Sequence, residues 1–274
     1  MGLISVKAGA TVVTQLELPM TMRQSDLDRV KALPLFRDAS PETFRDVTAG
    51  AFLQRFPAGT TLLLEGDTVD FLYVLLDGIV ELQGSWKEKD TTLAVLRPVS
   101  TFILAAVVLD ADSLMSARTL ERSEILMLSG QALRRTMHQD AEFACAVAHE
   151  LSGCYRGLVR AVKNHKLRGG TERLANYLIT QRIRQGMKDT ITLPHEKRIL
   201  ASLLGMTPEN LSRAFSSLSA QGVVVHGPEV TLTRPEALER LARPTPLIDN
   251  HMPPQSRLLG KGEVESWSDS PGYA

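Results

Sequence analysis

Apolar and polar positions follow three rhythms along the chain. From Phe52 to Leu128 the apolar residues come in short β-rich runs, Thr60–Leu64, Phe71–Leu76, Ile79–Leu82, Thr91–Leu96 and Ile125–Leu128. Turn residues divide them at Pro57-Ala58-Gly59, Glu65-Gly66-Asp67 and Asp77-Gly78. Many short strands at such spacing predict a sandwich or barrel. Ahead of them, Ser25–Leu33 reads as a short helix, and a second helix opens near Ser40-Pro41-Glu42. From about Ala141 the period turns helical: Val147, Leu151, Cys154, Leu158, Ala161 and His165 alternate by four and three, the a/d seam of a coiled coil. A long helix with such a seam predicts a homodimer. The seam stops at Arg168-Gly169-Gly170, a hinge, and a new helix opens at Thr171.

The third rhythm carries the most chemistry. Lys197–Leu204 is a short helical pattern ending at Gly205, and a second helix follows from Thr207-Pro208. Thr207 suits an N-cap and Pro208 the first helical position. Leu211, Ala214, Phe215 and Leu218 make its apolar stripe, which leaves Glu209, Asn210, Ser212 and Arg213 for the other side. Two helices, a glycine turn and polar groups early in the second helix form a helix–turn–helix that presents a recognition helix. Arg can grip guanine O6 and N7 with two hydrogen bonds, Glu can accept from cytosine N4, and Ser serves either partner. Thr207, Glu209, Asn210, Ser212 and Arg213 are therefore the candidate DNA-binding residues. After Gln221-Gly222, the runs Val223–Val225 and Val230–Thr233 flank His226-Gly227-Pro228-Glu229 as strand, turn and strand. A hairpin directly behind a recognition helix predicts a winged helix–turn–helix.

Net charge is zero over 274 residues, but it is unevenly placed. Residues 23–140 carry 13 Lys+Arg against 17 Asp+Glu, and residues 166–244 carry 12 against 7. A basic C-terminal domain is what phosphate binding requires. The longest apolar run, Phe102–Leu109, is far short of a membrane span, and Met1–Met20 lacks the pattern of a signal peptide. Two cysteines fit a reducing cytoplasm. The expected organisation is a loose extension over 1–22, a β-rich sensor domain over 23–140, a dimerisation helix over 141–168, a DNA-binding domain over 169–244 and a disordered tail over 245–274.

This order of parts resembles the CRP/FNR family of bacterial transcription regulators. Leu33-Pro34-Leu35-Phe36, Phe56-Pro57-Ala58-Gly59-Thr60, Glu65-Gly66-Asp67, Asp70–Gly78 and Glu172–Leu178 are similar to the family's landmarks, in order and spacing. Leu96–Leu109 and Met115–Arg118 are most similar to the FtrB-type activators. The resemblance implies an α+β chain: an N-terminal β-roll like a cyclic-nucleotide-binding domain, a long dimerisation helix and a C-terminal winged helix–turn–helix. It further implies an activator that works with RNA polymerase. Glu209-x-x-Ser212-Arg213 matches the E-x-x-S-R signature of FNR-like branches. By that match Glu209 and Arg213 read the G·C pair of a TTGAT-like half-site, with Ser212 on a neighbouring thymine. A symmetric dimer then calls for a palindrome on double-stranded DNA.

The departures concern the signal. Cyclic-nucleotide-binding members carry Gly-Glu for the ribose and Arg-Ser for the phosphate. Here Leu104-Ala105 and Met115-Ser116 stand in those places. Without that cation a buried cyclic phosphate has nothing to offset its desolvation. Arg118, three residues on, falls on the opposite face of an extended strand. The expected effector is therefore unidentified and not cyclic AMP, in a pocket lined by Phe102, Leu104, Ala105 and Met115. Cys145 and Cys154 are too few to hold a four-cysteine iron–sulfur cluster in one chain. No cofactor is expected from the residues; the alternatives left open are haem on His138 or His149, which the family uses in some members, and a thiol sensor at Cys154. A cupin-like metal enzyme would need clustered histidines in the roll, yet residues 1–137 contain none. The remaining alternative is an interaction module that does not bind DNA.

Overall fold

A computed structural model describes residues 24–249 apart from Glu88 and His195. The extension expected over 1–22 lies outside them, as does most of the tail expected over 245–274.

Three short helices come first, α1 (Gln24–Lys31), α2 (Pro34–Arg37) and α3 (Pro41–Thr48). Ser40 caps α3 by accepting from the Thr43 N–H at 3.0 Å, and Pro41 sits at its first position. The strands follow as β1 (Phe52–Phe56), β2 (Thr61–Leu63), β3 (Phe71–Asp77), β4 (Val80–Trp86), β5 (Lys89–Leu96), β6 (Ser100–Phe102), β7 (Ser116–Thr119) and β8 (Ser123–Ser129), with α4 (Leu104–Leu109) between β6 and β7. They form two four-stranded antiparallel sheets, ordered β1-β8-β3-β6 and β2-β7-β4-β5. Leu72, Val74, Leu75, Leu126 and Leu128 are fully buried and build the core of the first sheet.

After β8, α5 (Gly130–Gln139) is capped by Ser129, and α6 (Ala141–Leu167) by Asp140, whose Oδ1 accepts from the Phe143 N–H at 3.0 Å. Bonds from the Thr43 hydroxyl and then this amide hold the Asp140 carboxyl below its usual range. Phe143 stacks on Phe36 with ring centroids 5.9 Å apart, and Phe36 meets Phe44 edge-on at 5.6 Å. Phe143 and Val147 are thus core residues of the N-terminal part, and the two compact units of the chain divide after Val147, inside α6. The sequence placed that boundary at the helix's start because period alone does not reveal what a helical face covers.

The C-terminal unit holds the rest of α6, then α7 (Gly170–Arg184), β9 (Thr190–Thr192), α8 (Lys197–Leu203), α9 (Pro208–Ser219), β10 (Val223–His226), β11 (Glu229–Leu232) and α10 (Pro235–Ala242). β10, β11 and β9 make a three-stranded antiparallel sheet in that order. Leu174, Leu178, Leu200, Leu211, Leu218 and Val230 pack into one core under the helices and sheet.

Three expectations change. The run Phe102–Leu109 is not one continuous wall. β6 ends at Phe102, Ile103 adopts a left-handed conformation (φ 68°), and the remainder is helical. Helical spacing buries Leu104 and Val107 and leaves Ala105 and Leu109 exposed. Val147 is fully buried in its own chain, so it is not available to the expected seam. Finally, order continues past Pro244: Thr245–Asp249 fold into a turn, with Asp249 N–H donating to the Thr245 carbonyl at 2.7 Å. No helix among the described residues is long and apolar enough to cross a membrane.

Candidate nucleic-acid interface

The recognition helix is α9. Thr207 is its N-cap and accepts from the Asn210 N–H at 3.2 Å, and Pro208 occupies the first position, where a missing N–H costs nothing. Leu211, Ala214, Phe215 and Leu218 are buried, so the helix can only turn its other side outward. That side carries Glu209, Asn210, Ser212 and Arg213, all exposed. The Arg213 Nη2 donates to Asn210 Oδ1 at 2.8 Å. A hydrogen bond from the Thr207 hydroxyl, then its own backbone N–H and the Arg213 cation, hold the Glu209 carboxyl below its usual range. A charged acceptor and a charged donor therefore stand one turn apart on the exposed side of the helix.

The turn between α8 and α9 has little room. Gly205 (φ 60°) lies against the His165 ring, and a Cβ there would come within 2.8 Å of two ring atoms. Partial burial, then the Arg173 cation, hold the His165 imidazole below its usual pKa. Arg173 fixes the turn from behind, its Nε donating to the Leu204 carbonyl at 2.8 Å and its Nη1 to the Arg168 carbonyl at 2.6 Å. The sequence reading missed this positioning role; an Arg next to the capping residue Glu172 of a helix start was its only trace. An open groove of about 390 Å³ runs beside the recognition helix, with Thr171, Arg173, Asn210, Arg213 and Ser217 on its walls. Behind α9 the β10–β11 hairpin forms the wing, and its tip, His226 to Pro228, is exposed.

The other sequence-predicted groups belong to the N-terminal unit and to α6. In the N-terminal unit Phe102 is buried and stacks on Tyr73 with centroids 5.1 Å apart. Burial, and then the Asp67 and Asp70 carboxylates, push the Tyr73 phenol up to about 12. Leu104 is buried, Met115 half-buried and Ala105 exposed. Arg118 is exposed, and its Nε donates to the Gly59 carbonyl at 3.2 Å. His138 and His149 are both exposed, on α5 and α6. Along α6, Leu151 is half-buried while Cys154, Leu158, Ala161 and His165 are exposed. Tyr155 and Val162 join this stripe at 68% and 46% exposure; their positions four residues after Leu151 and Leu158 would have placed them there. Desolvation of its sulfur, then the Glu150 carboxylate, raise the Cys154 thiol above its usual value and keep it from the thiolate form.

Residues 172–241 match a Crp-like helix-turn-helix domain, and residues 53–140 match a cyclic nucleotide-binding domain, together more than half of the chain. The chain belongs to the CRP/FNR family. Among curated CRP/FNR relatives, the Cyclic AMP receptor protein of Thermus thermophilus is 28% identical over 217 residues, covering 76% of this chain and 96% of the relative. Solved CRP/FNR structures share the fold. FixK2 from Bradyrhizobium japonicum superposes with a TM-score of 0.61 at 20% identity, over 70% of this chain and 96% of that one. A Crp/Fnr-family transcriptional regulator from Eubacterium rectale gives 0.64 at 15% identity, over 78% of this chain and all of the other. This CRP/FNR protein is a DNA-binding transcription regulator with an N-terminal cyclic-nucleotide-binding-type β domain, a long helix and a C-terminal helix–turn–helix.

Proposed function

We propose that the protein is a homodimeric activator that reads a TTGAT-like palindrome and answers to a signal other than cyclic AMP. The observation that carries this reading is the recognition helix: Thr207 caps it, its apolar side is buried, and Glu209, Asn210, Ser212 and Arg213 stand outward ahead of a wing. Glu209 and Arg213 take the G·C pair and Ser212 the neighbouring thymine, with the two half-sites about one helical turn apart. The partner is a second copy, docked along the stripe from Leu151 to His165. A run of Tyr155, Leu158 and Val162 left open to water on one face of a long helix favours such a partner. RNA polymerase is the further partner of an activator, and the FtrB-type branch is the nearest in motif.

The effector site sits near Phe102, Leu104 and Met115. A neutral, apolar effector suits it better than a nucleotide, because Met115 stands where the resemblance calls for a cation and Arg118 is on the exposed face, engaged with Gly59.

Fluorescence anisotropy against a TTGAT palindrome and a scrambled duplex tests the reading. The wild type should discriminate between them. Arg213→Ala should lose about 1–3 kcal/mol on the palindrome and relax the preference at one G·C position. Equal losses on both duplexes would make Arg213 a phosphate contact, and a wild type that binds both alike would overturn the proposal.

A further inference from the structure

The junction between α6 and α7 is the weakest backbone in the C-terminal unit on sequence grounds, with Gly169 and Gly170 in succession. A Cβ on Gly170 would come within 2.8 Å of the Met206 sulfur, which would have to move aside. The junction is nevertheless tied down on two sides. Arg173 holds it to the helix–turn–helix turn, through the Arg168 and Leu204 carbonyls. On the other side the chain beyond α10 folds back. Arg168 makes a two-pronged ion pair with Asp249, Nη1 to Oδ1 and Nη2 to Oδ2, each at 2.6 Å, and both side chains are only 8% exposed. Asp249 also accepts from the Thr245 N–H at 2.7 Å, which closes the segment on itself. Arg168 Nη1 reaches Asn164 on α6 at 3.2 Å, and Lys163 Nζ donates to the Leu247 carbonyl at 3.3 Å.

We propose that Pro244–Asp249 is a C-terminal latch: by gripping Arg168, Asp249 holds the α6–α7 junction in the arrangement that is competent to bind DNA. A planar guanidinium matched to both carboxylate oxygens fixes direction as well as distance, which a single contact would not. Its burial makes breaking one partner costly, because the other is left as an uncompensated charge. Unlatched, the two glycines let the junction sample many arrangements. A palindrome accepts only one spacing of recognition helices, so apparent affinity falls with the competent fraction. This last step rests on the dimer reading above.

The test uses the full chain as wild type, Asp249→Asn, Arg168→Gln and the double variant. In hydrogen exchange without DNA, amides 164–172 should exchange about tenfold faster in Asp249→Asn, with α9 unchanged. Affinity for the palindrome should fall about tenfold, while a single half-site duplex binds within about twofold of wild type. The double variant should be no worse than the poorer single one, since both remove the same contact. Unchanged exchange at 164–172 overturns the latch. Faster exchange with unaltered palindrome affinity overturns its role in DNA binding. A wild type that ignores the palindrome sinks the DNA reading instead, and the exchange comparison still decides the latch.

Discussion

Tyr73 and Arg213 show how differently single residues declare themselves. Arg213 is legible because an Arg directly after Ser212 and four residues after Glu209, behind a capped helix start, has few uses besides gripping an acceptor. Tyr73 was invisible as a special residue, because in sequence it is one more aromatic in an apolar run. Its environment comes from elsewhere in the chain: the stacked Phe102, and the Asp67 and Asp70 carboxylates near its phenol. A consequence follows for alkaline stability. The unfolded phenol ionises near pH 10, while burial and these carboxylates raise the folded value to about 12. The folded state therefore keeps its proton over that window, and stability falls as pH rises from about 10 to about 12, by up to about 2–3 kcal/mol. Tyr73→Phe should flatten this slope. Urea midpoints at pH 8 and pH 11 measure it, and an equal loss in both proteins would mean that Tyr73 does not titrate late.

At the scale of elements, the long helix α6 was found by period, but its two ends do different work. Phe143 and Val147 are sealed in the chain's own core, whereas Leu158 is 63% exposed with Tyr155 and Val162 beside it. Leu158→Asp should therefore leave each chain folded and break the dimer, since it would bury a carboxylate in the seam on both sides at a cost of several kcal/mol. Sedimentation velocity should show monomers with an unchanged far-ultraviolet spectrum; a variant that stays dimeric would sink the seam. The apolar run Phe102–Leu109 was harder to read. Eight apolar residues fit a buried strand or a short helix equally well, and only the left-handed turn at Ile103 converts one into the other. β9 escaped notice because three residues are too few to show alternation, and α10 because Arg234 ahead of it is no capping residue.

Over the whole molecule, neutrality conceals an acidic N-terminal β domain and a basic DNA-binding domain. The proposal that the signal is not cyclic AMP gives the last prediction. Met115 is half-buried and Arg118 is exposed and bonded to Gly59, so on the proposed reading neither offers a cyclic phosphate a charge-assisted partner. Calorimetry should find no cyclic AMP binding at cellular concentrations, and DNA affinity should not respond to it; micromolar binding with tighter DNA binding would show that another cation enters the pocket. The sequence by itself determined the order of parts and the capped recognition helix with its outward residues, because each depends on neighbours within a turn or a strand. Only the tertiary structure decided that Val147 belongs to a core, that Ala105 faces water, that Arg173 braces the turn and that Asp249 grips Arg168. Those depend on which distant segments meet, and a pair 81 positions apart leaves no local pattern to read.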